Sequence, residues 1–193
     1  LAFMTWEHPM ISDCMDMVLS TELGNTSIGT LKLKSIESGT MLLEVFFSAS
    51  CAAPKYLMVE RFLPESPIRL LIDQKGNDIS NAISHIKLND AITKIRKETG
   101  AKIVQRIREE IDNRVKIATT AGVERLVSLQ TRATTKVADV LGCEVDRLEA
   151  LKRKNQAVRR QEIELLHRRI NNTKKHIEEA TLVLQAIRVI IIS

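Results

Sequence analysis

The segment Ala186-Ile187-Arg188-Val189-Ile190-Ile191-Ile192 lies at the end of the chain and decides its fold. β-Branched side chains are unfavourable near the end of a helix and pack well in a strand. Apolar residues occupy consecutive positions here, which is typical of a central strand covered on both faces. Its possible partner strands come from the first half of the chain. The sequence therefore predicts one sheet built from both ends of the chain.

Four runs in the first half have the composition of strands. The clearest is 40–48, in which every second residue from Met41 to Phe47 is apolar and lies on one face. Prolines separate the runs, and Asp73-Gln74-Lys75-Gly76-Asn77 is a turn signal that ends the last one. The predicted strands are 27–34, 40–48, 56–63 and 68–73, and an amphipathic helix over 8–19 precedes them.

Apolar residues recur every three or four positions through the second half, which predicts helices. The run 101–152 would measure about 78 Å as one straight helix, so we expect a break or bend, near Gly142. A second stripe, from Ile163 to Leu184, predicts another helix. Because Lys154-Asn155-Gln156 joins the two, they should form an antiparallel helical hairpin.

The predicted fold class is α+β, with a mainly antiparallel sheet completed by the C-terminal strand and packed with long helices. Residues 1–85 and 185–193 would form the sheet, and 86–184 would be helical. At 44% hydrophobic residues the chain can bury a sizeable core. It begins on Leu-Ala-Phe-Met-Thr-Trp, without a Met or a targeting segment. We therefore expect 1–193 to be a single domain fragment of a larger protein.

The sequence contains no recognisable catalytic, cofactor-binding or metal-binding constellation. Gly24–Thr30 has the spacing of a phosphate loop, but Thr30 stands where the loop needs Lys, and a strand pattern follows. Cys14, Cys51 and Cys143 form no CxxC pair and are expected to be reduced thiols, and the four histidines form no HExxH motif. The apolar runs are too short for a transmembrane helix. We therefore expect this fragment not to be an enzyme.

Positive charge is concentrated in the second half: residues 1–85 carry a net charge of −4 and 86–193 one of +9. The clusters on the hairpin are typical either of a surface for nucleic acid or an acidic partner, or of a solvated helix face with i,i+4 ion pairs. Phosphate contacts would be independent of base sequence, because no base-reading element is apparent. The candidate contact residues are Lys152, Arg153, Lys154, Arg159, Arg160, Arg168, Arg169, Lys174 and Lys175.

Eight fragments, in order along the whole chain, resemble one family. They are Trp6-Glu7-His8-Pro9, Arg61-Phe62-Leu63-Pro64, Pro67-Ile68-Arg69, Asp73 ahead of Gly76-Asn77, Thr99-Gly100-Ala101-Lys102, Leu148-Glu149-Ala150-Leu151, Asn155 with Arg159 and Glu162, and Ala186-Ile187-Arg188-Val189-Ile190. Together they are similar to the C-terminal domain of RapA (HepA), the bacterial RNA polymerase-associated SWI/SNF-type ATPase. The chain departs from the family at Gln156, where Pro is frequent, and 105–145 matches in pattern more than in identity.

The resemblance implies a function that belongs to the parent protein. Proteins of this family act in the bacterial cytoplasm, bind RNA polymerase core and use ATP hydrolysis on DNA to recycle polymerase trapped after transcription. The parent's ATPase lobes, which bind ATP and Mg, are not contained in these residues. This fragment is therefore expected to be a non-catalytic C-terminal domain without a cofactor, which braces those lobes or contacts polymerase.

Two other hypotheses remain open. The basic hairpin would serve as a nonspecific nucleic-acid-binding module in one of them. In the other, the long apolar stripe of 101–152 would mediate self-association. The sequence does not decide the oligomeric state or the surface that meets polymerase.

Overall fold

The computed structural model describes residues 26–32, 37–155 and 157–193. The predicted helix over 8–19, the first fragment of the family resemblance and Gln156 lie outside them. The elements, in chain order, are β1 (Thr26–Leu31), β2 (Met41–Ser50), β3 (Pro67–Ile72), α1 (His85–Ala91), β4 (Thr93–Lys94), α2 (Lys97–Arg106), α3 (Arg108–Lys154), α4 (Arg160–Glu178) and β5 (Thr181–Ile192). Two short 3-10 turns, Lys55–Leu57 and Val59–Arg61, lie between β2 and β3.

The described strands form a mixed sheet in the order β3-β2-β5-β1-β4. β5 runs parallel to β1, from Thr26 opposite Ile187 to Leu31 opposite Ile192, whereas β4 pairs antiparallel with β1. The final strand therefore lies between two strands from the first half of the chain. This confirms the predicted α+β class and the predicted completion of the sheet by the C-terminal strand.

The C-terminal half of β5 is buried on both faces. Val189 and Ile190 have no exposed surface, and Ile192 is 1% exposed. Successive side chains of a strand point to opposite faces, so burial of two neighbours requires cover on both sides. The hydrophobic core around it consists of Leu31, Leu42, Leu71, Leu88, Ile190 and Ile192, with Ile79, Ile83 and Ile92 packed against it.

The chain divides into two compact units. The first comprises the described parts of 1–46, 69–121 and 184–193, and the second comprises 47–68 with 122–183. Three elements, β2, α3 and β5, contribute residues to both units. The first unit contains the core described above, and the second contains the helical hairpin.

Helix α3 is 47 residues long, which corresponds to about 70 Å. It continues through Gly142, so the expected break or bend near that residue is not a break in the helix. The helical pattern is instead interrupted at Ile107, whose backbone angles (φ −105°, ψ 16°) end α2. A glycine inside a helix costs only about 1 kcal/mol relative to alanine. The buried neighbours Leu141 and Val145 offset that cost by packing.

The predicted strand over 56–63 is also wrong, because this segment forms the two 3-10 turns. Met58 joins them in the left-handed region at φ 50°. The amide N–H of Leu57 donates to the carbonyl oxygen of Pro54 at 3.0 Å, which closes the first turn. Val59 and Phe62 are buried three residues apart. Leu57 is buried as well, two residues before Val59, so the alternation typical of a strand holds as far as Val59 and fails at Phe62.

Candidate partner-contact surface

A short connection joins α3 to α4. The amide N–H of Asn155 donates to the carbonyl oxygen of Leu151 at 2.8 Å and so continues the last turn of α3. The Asn155 side-chain oxygen then accepts from the amide N–H of Ala157 at 2.9 Å. Asparagine favours such local turns, because its short side chain can bond the backbone two residues further on. This connection explains why the chain reverses directly after Lys154.

The two helices form an antiparallel hairpin within the second unit. Near the connection, Lys152 of α3 and Arg160 of α4 line the same cavity. At the other end, the side-chain amide of Gln130 donates to the carbonyl oxygens of Ile177, Glu178 and Ala180 at 3.0–3.1 Å. These carbonyls lie at and just beyond the C-terminus of α4, where a helix lacks internal donors. Gln130 therefore caps α4 from the facing helix, and the predicted hairpin is confirmed.

All nine predicted contact residues lie on this hairpin. Lys152, Arg153 and Lys154 form the last turn of α3, and Arg159 and Arg160 begin α4. The remaining residues, Arg168, Arg169, Lys174 and Lys175, lie further along α4. Lys174 is about 21 Å from Arg160 along the helix axis, because each residue adds 1.5 Å. The nine residues therefore do not form one cluster.

A cavity of about 490 Å³ lies between the end of α3 and the beginning of α4. We call it the basic groove. It is lined by Glu149, Lys152, Arg153, Arg160, Ile163, Glu164 and His167. Three of the nine predicted residues, Lys152, Arg153 and Arg160, thus meet at one place. The sequence showed the charges, but it did not show which of them the hairpin brings together.

The basic groove contains both signs of charge. The guanidinium Nε of Arg160 lies 3.1 Å from Glu164 Oε1, so this pair is partly neutralised. Between residues 152 and 175 the chain has nine Lys or Arg residues and two Glu residues, so this segment of the hairpin is strongly positive. Arg159 occupies the N-cap position of α4, and its side chain makes no capping hydrogen bond to the helix. Cations at a helix N-terminus oppose the helix dipole, whereas an anion there is favourable.

A second polar cluster, which the sequence analysis did not detect, lies in the first unit. Glu44 on β2 is fully buried and accepts a hydrogen bond from Arg69 Nε at 2.5 Å. His85 Nδ1 lies 3.0 Å from the same carboxylate oxygen, and Arg188 Nη1 lies 3.4 Å from the other one. Arg69 also donates to the carbonyl oxygens of Ser80 and Ile83. The only sequence signal was a carboxylate between apolar residues of a strand.

Cys51 lies beside α4 and has the properties of an unreactive thiol. Burial raises the pKa of the Cys51 thiol, and the carboxylates of Glu60 and Glu179 raise it further. Its Sγ donates to the carbonyl oxygen of His176 at 3.1 Å. A thiol with a raised pKa is a poor nucleophile, because the reactive species is the thiolate.

Other kinds of site find little support in the part of the chain that the structure describes. Within it, no three His, Cys, Asp or Glu side chains are grouped so as to hold a metal ion. No helix there is long and apolar enough to cross a membrane. In the segment with the spacing of a phosphate loop, residues 26–30 lie in β1, and the first two residues lie outside the described range.

Fold and surface together define a class of protein: an α+β domain that presents a basic helical hairpin. Residues 1–192 match the family described as RNA polymerase recycling family C-terminal. The chain belongs to this family.

Three relatives show how much of a protein the match covers. The chain is similar to the RNA polymerase-associated protein RapA of Photobacterium profundum, with 35% identity over the whole chain. It is also similar to the proteins of the same name from Pseudomonas putida (34%) and Proteus mirabilis (32%), in each case over 99% of this chain. The chain spans about a fifth of the length of these relatives, because the match covers 20% of each one.

Proposed function

We propose that this chain is the non-catalytic C-terminal domain of an RNA polymerase-associated, ATP-dependent DNA-translocating regulator that recycles RNA polymerase in the bacterial cytoplasm. Its local role would be to contact polymerase or to brace the ATPase lobes. One observation carries the proposal: the family match extends over residues 1–192. The relatives that align with the entire chain are named RNA polymerase-associated proteins.

The proposed division of labour follows from length and from chemistry. The relatives are about five times as long as the match, so ATP and Mg would be bound in the part that this chain does not cover. ATP hydrolysis requires a phosphate-binding loop and a metal site. The sequence from 1 to 193 contains no complete phosphate-loop motif. These facts favour a non-catalytic role for the domain itself.

The proposal is tested by measuring binding of the purified chain to core RNA polymerase by biolayer interferometry. We expect saturable binding in the micromolar range or tighter, together with no ATP hydrolysis by the chain alone. A chain that hydrolyses ATP would contradict the non-catalytic role. Both local roles would be contradicted by two negative results together. The isolated chain would not bind polymerase, and deletion of this domain from the full-length protein would leave its ATPase rate unchanged.

Nonspecific nucleic-acid binding is a second candidate, supported by the nine basic residues of the hairpin. Such binding is dominated by phosphate contacts, each of which releases counterions. The affinity for a 20-base-pair duplex should then fall with salt, with a log–log slope of about −0.9 per contact. Substitution of Lys174 and Lys175 by Gln should reduce the slope by about two contacts. The absence of binding at 50 mM salt would eliminate this candidate.

Self-association through the apolar stripe of α3 receives no such support. Seven residues of that stripe are buried within the chain: Ile111, Ala118, Leu126, Ala133, Val137, Leu141 and Val145. Because these side chains are already covered, the stripe does not offer a continuous apolar face to a second copy. We therefore do not propose self-association through it.

A further inference from the structure

We propose that the turn over residues 54–63 docks into an apolar pocket on the remainder of the full-length protein, through the exposed side chains of Tyr56 and Met58. We call this segment the docking turn. The inference rests on the proposed bracing role. It adds the segment that makes the contact and the chemistry of the surface that receives it.

Buried and exposed side chains alternate in the first part of the docking turn. Leu57 and Val59 are 0% and 4% exposed, whereas Tyr56 and Met58 are 64% and 53% exposed. Of the four aromatic residues that the structure describes, only Tyr56 is exposed. Burial of apolar surface drives protein association, and both Tyr and Met are enriched in interfaces. The docking turn therefore presents to solvent two side chains of the kind that interfaces bury.

The backbone holds Met58 in a conformation that is unfavourable for methionine. Its φ of 50° and ψ of 47° lie in the left-handed region, which glycine and asparagine tolerate better. Within the described part of the chain, no other residue except glycine has a positive φ. Because half of the Met58 surface is exposed, packing inside the chain does not account for a methionine here. A partner that covers the side chain would account for it, and strained residues are frequent at functional sites.

Backbone hydrogen bonds fix the shape of the docking turn. The amide N–H of Met58 donates to the carbonyl oxygen of Lys55 at 3.1 Å, and its own carbonyl oxygen accepts from the amide N–H of Arg61 at 3.1 Å. The amide N–H of Phe62 donates to the carbonyl oxygen of Val59 at 2.9 Å. Little conformational entropy is lost when a segment that is already ordered binds a partner.

The charged residues around the two exposed side chains favour a protein as the occupant. Lys55 and Arg61 are balanced by Glu60 and Glu65, and all four are exposed. Nucleic acid is attracted by cations that lack such compensation. An apolar centre with a polar rim is instead the usual anatomy of a contact between proteins.

The size of the apolar centre favours a partner that is covalently attached. Two half-exposed side chains bury on the order of 200 Å², whereas a stable contact between separate proteins buries about 1,200–2,000 Å². Domains of one chain associate through smaller and more polar interfaces, because their attachment gives a high effective concentration. The match covers only 20% of each relative, so most of the full-length protein lies outside this chain. We therefore assign the receiving pocket to that remainder.

Photochemical cross-linking of the full-length protein tests the assignment. Tyr56 is replaced by p-benzoylphenylalanine, and the cross-linked peptides are identified by mass spectrometry after irradiation. The matched control carries the same group in place of Leu165 on α4, which is 65% exposed. Both proteins are irradiated at several concentrations, with and without core RNA polymerase.

We expect the group at position 56 to cross-link within one molecule to a peptide outside residues 1–193. The yield should be independent of concentration and at least about fivefold above that of the control. A yield at the control level would overturn the proposal. Cross-links only to polymerase, or only to a second copy with a yield that rises with concentration, would also overturn it.

A Met58→Gly variant separates docking from folding. Glycine adopts this φ readily, so the Tm of the isolated chain should stay within about 2 °C of the wild type or rise. In the full-length protein the same substitution should lower the cross-link yield from position 56 at least about threefold. An unchanged yield would contradict a role for Met58 in docking. A Tm lower by more than about 5 °C would show that the methionine serves the fold of the chain itself, which also contradicts the proposal.

Failure of the docking turn and failure of the proposed function are distinguishable. If deletion of the domain changes the ATPase rate but position 56 gives no cross-link, the bracing role stands and the docking turn is overturned. If deletion leaves the rate unchanged and the isolated chain does not bind polymerase, the proposed function itself fails.

Discussion

Glu44 is a buried carboxylate on a strand whose other residues are mostly apolar, and its partners arrive from three other parts of the chain. Arg69 comes from β3, His85 from the start of α1 and Arg188 from β5. Transfer of a carboxylate from water to a protein interior costs several kcal/mol unless opposite charges and hydrogen bonds compensate. The cluster thus requires β2, β3 and β5 to be in their native order before Glu44 can be buried.

Substitution of Glu44 by Gln should destabilise the chain strongly. It removes the negative charge and leaves two arginines close together in a low-dielectric environment, and breaking a buried ion pair in this way typically costs about 3–5 kcal/mol. The free energy of unfolding from urea denaturation measures the effect. The control is Glu65→Gln at an exposed position, which should change stability by less than about 0.5 kcal/mol. Equal stability of the two variants would show that the cluster contributes nothing.

Asp73 gives the stability a defined dependence on pH. Burial alone would raise the pKa of the Asp73 carboxyl, but hydrogen bonds from the backbone and side chain of Asn77 and from the amide N–H of Lys75 outweigh it, so the pKa is lowered. A lowered pKa means that the native state binds fewer protons than the unfolded state. The stabilisation is therefore complete above the unfolded pKa of about 3.9 and is lost as the pH falls through the folded value.

An Asp73→Asn variant should accordingly be less stable than the wild type at neutral pH, and the gap should narrow as the pH falls below about 4. Urea denaturation at several pH values between 2.5 and 7 measures the gap. A difference that stays constant over that range would contradict a role for the ionised carboxylate.

At the scale of elements, two glycines in helices have opposite packing environments. A Cβ on Gly142 of α3 would have no atom within 4 Å, whereas a Cβ on Gly100 of α2 would lie 2.6 Å from Ile28 Cγ2. That methyl belongs to a β-branched side chain with little rotamer freedom. Gly100 is therefore required for close approach of α2 to β1, and Gly142 is not required by packing.

The two alanine variants should shift stability in opposite directions. Gly142→Ala should raise the free energy of unfolding by about 0.5–1 kcal/mol, because alanine restricts the unfolded chain and favours the helix. Gly100→Ala gains the same helix propensity but forces a steric overlap that costs about 1–3 kcal/mol, so it should lower stability. Thermal unfolding followed by circular dichroism compares them. A stabilising Gly100→Ala would show that α2 can move away without cost.

The elements that the sequence predicted correctly are those with a long, regular pattern. The isoleucine run predicted β5, and the recurrence of apolar residues every three or four positions predicted the hairpin. Both predictions succeeded because each pattern extends over many residues. The strand predicted over 56–63 was wrong, because a short apolar run fits a strand and a 3-10 turn equally well. The basic residues of the hairpin were visible in the sequence. The meeting of three of them, Lys152, Arg153 and Arg160, at one groove was not visible, since it depends on how α3 faces α4.

At the scale of the whole molecule, the last strand of the chain, β5, lies in the sheet between strands from the first half of the chain. β5 pairs with β1 and lies beside β2, and most of the chain, including the long helices, lies between these strands in the sequence. Contacts between residues so far apart in sequence form slowly, because the loop-closure entropy is lost before the contacts are gained. Ile190 and Ile192 of this strand are buried in the core of the first unit, so the stability of that unit should depend on them.

A double substitution within β5 tests this dependence. Val189→Ala with Ile190→Ala removes two side chains that have no exposed surface, whereas Val183→Ala with Leu184→Ala removes similar side chains that are 39% and 43% exposed. The buried pair should cost about 4–7 kcal/mol, a large part of the 5–15 kcal/mol that stabilises a typical domain, and the exposed pair less than about 1 kcal/mol. Urea denaturation measures both losses.

Because β2, α3 and β5 contribute to both units, hydrogen exchange in 122–178 should also accelerate in the variant with Val189→Ala and Ile190→Ala. Unchanged exchange there would show that the second unit is stable on its own, and equal losses in the two variants would contradict the central position of the strand.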